Sequence, residues 1–86
     1  MDINQLIEII EKKILSQDCV SKVKIEDKSF LHNNHKSNVK GKFHILLLIE
    51  SSELKKMNKL SSTRFIYKVL DDELKNYIHS LQIKLI

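Results

Sequence analysis

Apolar positions recur at helical spacing from the start of the chain. Ile3, Leu6, Ile7, Ile10 and Ile14 share one side of the repeat, and Glu8, Glu11 and Lys12 take the other. Asp2 and Gln5 stand three apart ahead of this stripe, which is capping-box spacing. A helix is therefore predicted to open at Asp2 and to end near Ser16-Gln17-Asp18. Val23 and Ile25 then alternate with Lys22, Lys24 and Glu26, the pattern of a strand with one buried face. Residues 28–41 carry the turn formers Asn33, Asn34, Ser37, Asn38 and Gly41 and read as an extended loop, longer than an ordinary hairpin connection. From Lys42 to Ile49 the middle is apolar without alternation, which suits a central strand with neighbours on both sides.

Ser51 or Ser52 can cap a short helix holding Leu54, Met57 and Leu60. Ser61 or Ser62 can cap the next, which carries Phe65, Ile66, Val69, Leu70 and Leu74 and closes at Lys75-Asn76. A last strand is predicted from Ile78 to Ile86, with a register fault near Ser80 that suggests a bulge or a late start. The order is helix, strand, strand, helix, helix, strand. Adjacent strands one and two should pair antiparallel, and the two-helix crossover is long enough for a parallel third strand. The expected class is α+β: a three-stranded mixed sheet with helices on one face.

Composition narrows the function classes. Eighty-six residues make one domain, spanning 1–86, and 42% apolar with 30% charged residues fits a folded rather than a disordered chain. The longest apolar run, Ile45 to Ile49, is too short to cross a bilayer, and the acidic start MDINQ is unlike a secretory signal. No membrane association and a cytoplasmic location are expected. Cys19 is the only cysteine, so the chain forms no internal disulfide and supplies no four-cysteine metal site. It reads as a small hydrophobe at a helix–strand junction. Net charge is +4, but fourteen of the fifteen basic residues are lysine, in a chain with no proline and one glycine. That bias is typical of AT-rich genomes, so the charge is a weak sign of nucleic-acid binding. There is no nucleophile–base motif, no glycine-rich phosphate loop and no carboxylate pair with a plausible pocket, which argues against an enzyme.

Four segments together resemble the BolA-like family. IEDKSFLH (25–32) is similar to its strand ending in paired acids followed by x-Ser-x-x-His. KFHILLLI (42–49) is similar to its second strand, RFIYKVLDDEL (64–74) to its Arg-x-x-Tyr-x-x-Leu-x-x-Glu-Leu helix, and IHSLQIKL (78–85) to its ending Ile/Val-His-Ala-Leu-x-Leu. The likeness covers nearly the whole chain in the right order. Two departures stand out: Lys42 replaces the usual histidine before Phe43, and Ser62-Thr63-Arg64 replaces Arg-His-Arg at the third helix.

The resemblance implies a class II KH-like fold and a non-enzymatic role beside a monothiol glutaredoxin. The two proteins would share a [2Fe-2S] cluster in cluster trafficking or in iron and redox regulation. His79 matches the family's ligand histidine. His32 matches the loop histidine, and His35 three residues on is the other candidate for the second ligand. The partner's active-site cysteine and its bound glutathione would complete the set, with no cluster expected in the isolated chain, itself a monomer or weak homodimer. A zinc site from His32, His35 and His79 is the weaker metal reading, because no carboxylate or cysteine stands at motif spacing.

His44, opposite Phe43 on its strand, is expected to face solvent. Arg64 is expected to open the third helix. Tyr67, Leu70 and Leu74 should pack inward, and Asp71-Asp72-Glu73 should be a solvated acidic run at the disfavoured end of a helix dipole.

Some family members are described as DNA-binding transcriptional regulators, which the resemblance leaves as the alternative. The KH clamp needs a GxxG loop between helices, and the only glycine here is Gly41. Arg64 and Lys68 are the candidate contacts to DNA or a partner, with Lys55, Lys56 and Lys59 nearby.

Overall fold

The computed structural model describes residues 2–29 and 42–86. Its elements are α1 (Ile3–Leu15), β1 (Lys22–Asp27), β2 (Phe43–Glu50), α2 (Ser52–Lys56), α3 (Lys59–Val69), α4 (Asp71–Asn76) and β3 (Ile78–Leu85).

Helix α1 starts where its pattern demands. The Asp2 carboxylate accepts the Gln5 amide N–H at 2.8 Å, and the Gln5 side chain accepts the Asp2 N–H at 3.1 Å. Two of the N–H groups that the first turn leaves without helical partners are thereby satisfied. The apolar stripe puts Leu6, Ile10 and Ile14 wholly out of solvent, each worth roughly 1.5–3 kcal/mol in removed apolar surface.

The sheet has the order β1-β2-β3, with β2 antiparallel to β1 and parallel to β3. Ile45, Leu47 and Ile49 of β2 are buried with α1, with Leu54 of α2 and with Ile66 of α3, so the helices cover this face. Leu46 and Leu48 point the other way and stay half-buried. The unalternating apolar run of β2 thus belongs to a central strand, as expected.

The crossover differs from expectation in four places. Ser51 does cap α2, its buried hydroxyl accepting the Leu54 N–H at 3.1 Å. The next helix, however, is capped by Asn58, whose side-chain oxygen accepts the Ser61 N–H at 2.8 Å. Asn and Ser are near-equal caps, and extended backbone at Met57 and Asn58 lets the helix begin a turn early. Ser61 and Ser62 therefore lie inside α3, Leu60 joins α3 as an exposed residue, and Arg64 sits mid-helix.

Second, the expected single helix breaks at Leu70, whose φ of −103° and ψ of 23° leave the helical region. Asp71, Asp72 and Glu73 consequently form the first turn of α4, where a helix dipole favours carboxylates. The acidic run is at the favoured end, not the disfavoured one. Third, Glu73 is buried, and Lys13 of α1 grips both of its oxygens at 2.8 and 2.9 Å. That contact and the Asp71–Lys75 pair at 2.9 Å raise the two lysines' pKa values: a hydrogen bond to the carboxylate is the main cause in each, with Coulomb attraction adding to it. Fourth, Tyr67, expected inside, is 41% exposed, whereas Leu70 is buried and Leu74 partly so.

Candidate functional site

The end of the sheet where β2 and β3 begin brings two imidazoles together. Phe43 pairs with Ile78, but His44 pairs with Ser80, so β3 carries one extra residue at His79. This is the irregularity anticipated near Ser80. A bulge re-aims the side chain it carries. Ile78 is buried in the core and His79 exposed, as alternation requires, and the extra residue leaves Ser80 exposed as well instead of turning it inward.

His44 lies on that same outer face. Its ring centroid is 4.8 Å from that of His79, with the planes tilted by 50°. Its Nδ1 is 2.6 Å from Ser80 Oγ. His44 was expected to face solvent, yet it is only 5% exposed. On that outer face it packs beside the His79 ring and Ser80 across the strand pair. The shift makes Ser80 the register partner of His44, so that Ser80 and the His79 ring both lie beside it.

The backbone of His44 also anchors the end of β1. Its carbonyl accepts the Lys28 N–H at 2.7 Å, and its N–H donates to Ser29 Oγ at 3.1 Å. Ser29 in turn donates its own N–H to Asp27 Oδ1 at 2.9 Å, a local side-chain turn of the kind aspartate favours. The Asp-x-Ser portion of the 25–32 segment thus ties the root of the loop to the strand that carries His44.

The expected second ligands, His32 and His35, lie outside the described residues. Among the described residues no three His, Cys, Asp or Glu side chains converge as a metal-binding group. Cys19 is partly buried against the core and far in sequence from both strands of the imidazole pair. Arg64 and Lys68 are both exposed on α3, one helical turn apart. No helix among the described residues is long and apolar enough to cross a membrane.

A three-stranded mixed sheet of this connectivity with helices packed on one face defines a class of small α+β domains. The chain belongs to the BolA-like protein family, whose model matches residues 15–86. It is 31% identical over 78 residues to the DNA-binding transcriptional regulator BolA of Haemophilus influenzae, covering 91% of this chain and 73% of that one. Among solved structures it resembles the BolA domain of SufE1 from Arabidopsis thaliana with a TM-score of 0.80 and 26% identity, covering 98% of this chain and 93% of that one. BolA1 from the same plant gives a TM-score of 0.75 at 26% identity, covering 92% and 87%.

Proposed function

We propose that this chain is a non-enzymatic partner of a monothiol glutaredoxin and that the two share a [2Fe-2S] cluster. The observation that carries the reading is the exposed imidazole of His79 at the head of β3, its ring seated against that of His44. Imidazole in place of thiolate on one iron raises the cluster's reduction potential and makes that ligand sensitive to protonation.

The donor set fits half of such a site. His79 would be one ligand from this chain, and His32 or His35 the second. Three peptide units join Ser29 to His32 and six join it to His35, which at full extension span about 11 and 22 Å. Because Ser29 is tied to His44, the length of the chain allows either histidine to reach the His79 end of the sheet. The partner's active-site cysteine and its glutathione would supply the thiolates. Before any cluster is loaded, the chain's own residues hold the His79 ring in place and present it to solvent. Reconstitution with a monothiol glutaredoxin and iron tests this. A mixed complex whose visible spectrum changes in His79→Ala supports it, and an unchanged spectrum excludes His79.

One observation favours a second reading, DNA-binding transcriptional regulation. Arg64 and Lys68 make an exposed basic ridge on α3, and the Haemophilus relative is named as a DNA-binding regulator. Duplex-DNA affinity that survives physiological salt and falls in Arg64→Ala/Lys68→Ala supports it. Affinity that vanishes at that salt leaves only generic charge.

A further inference from the structure

The two edges of the sheet are guarded unequally. Strand β1 places Lys22, Lys24, Glu26 and Asp27 among its six residues. Charged side chains of this kind discourage another strand from pairing with an edge. Strand β3 runs for eight residues with no proline and only Lys84 as a formal charge. Among the described residues no strand pairs with its far edge.

That far edge opens onto a groove shared with α3. Two adjoining cavities of about 480 and 310 Å³ follow it, with Lys59, Thr63 and Ile83 lining both. Leu81 and Ile83 provide apolar wall, Tyr67 stands on the α3 side, and Lys55, Lys59 and Lys84 are the charged lining groups. No acidic residue lines either cavity, and none of these three lysines is in an ion pair among the described residues.

We propose that the β3 edge and this groove dock an extended acidic segment of a partner polypeptide as a fourth strand. The backbone edge supplies the main-chain hydrogen bonds of strand addition. The apolar wall takes alternate side chains, and the three lysines take the carboxylates that lie between them. A single-stranded nucleic acid would use the lysines but has no peptide backbone to continue the ladder. The β3 edge therefore favours a polypeptide. The residues lining the groove do not include His44 or His79, so loss of this binding and loss of cluster ligation are separable.

The test uses the full chain and a fluorescent nine-residue peptide alternating glutamate and valine. Binding is followed by anisotropy at physiological salt and by amide chemical shifts. The expected result is saturable binding with shifts centred on residues 81–85. Methylating alternate backbone nitrogens of the peptide should abolish it. The Lys59→Glu/Lys84→Glu variant should bind at least tenfold more weakly; both positions are exposed, and a glutamate at the start of α3 suits the helix dipole, so the fold is retained. Four results overturn the proposal: no binding at millimolar peptide, equal binding by the methylated peptide, equal binding when lysine replaces glutamate in the peptide, or tighter binding by a single-stranded oligonucleotide at the same salt.

Discussion

The ring of His44 lies against the ring of His79, centroids 4.8 Å apart, while His44 Nδ1 reaches Ser80 Oγ at 2.6 Å. One residue therefore contacts both the exposed imidazole and the next residue of its strand. Replacing His44 with alanine removes a buried side chain and the partner of Ser80. The expected loss is about 1–3 kcal/mol of stability, measured by urea denaturation. Ser80→Ala should lose less, because Ser80 is exposed to water.

The Lys13–Glu73 contact joins the first helix to the fourth across sixty residues of sequence. Lys13→Met leaves a buried carboxylate without its cation, and the expected cost at pH 7 is about 1–3 kcal/mol, toward the lower end because the lysine is partly in water. The sign of its pH dependence follows from the raised lysine pKa. The contribution is fully present below the ordinary lysine value of 10.5 and is lost as pH rises through the higher folded-state value. Wild type should therefore lose more stability than Lys13→Met between pH 9 and pH 12 in a series of denaturation curves. Equal alkaline losses would show that the pair contributes nothing.

Capping separates two similar-looking sites. Asn58→Ala should cost about 1 kcal/mol, as the loss of a helix cap does, while Ser61→Ala should be near neutral. Ser51→Ala should cost about 1–2 kcal/mol, because its hydroxyl is buried as well as capping. Thermal or urea unfolding of the three variants checks the ranking.

The exposed pair Lys75–Asp71 serves as a control. Its lysine pKa is raised, mainly by the hydrogen bond to Asp71, yet both side chains stand in water. Lys75→Met should leave the unfolding midpoint at pH 7 unchanged within error.

What was legible in the chain was local. The Asp2–Gln5 box, a serine cap for α2 at Ser51 or Ser52, the helical stripe of α1 and the alternation of β1 are each written in a few consecutive residues, and the fold selects Ser51. So was the strand fault beside Ser80, since a break in alternation marks an extra residue. What was not legible depended on pairing at a distance. The burial of His44 needs the register of β3, and the burial of Glu73 needs Lys13 from the far end of the chain. Ser61-Ser62 carries a capping signal as good as that of Asn58, so the local sequence does not distinguish a helix starting at Arg64 from one in which Arg64 lies mid-helix. In the candidate site, His79 at the head of β3 could be read from the sequence; the ring packed against it could not.

Visible circular dichroism of the mixed complex formed with a monothiol glutaredoxin after iron–sulfur reconstitution tests the role of His79 without intermediaries. The wild-type chain should give a complex whose cluster bands differ from those of the glutaredoxin alone. His79→Ala should abolish or shift those bands, and His44→Ala should perturb them less while keeping the complex. Bands identical for wild type and His79→Ala, with both chains folded and bound, would contradict that role.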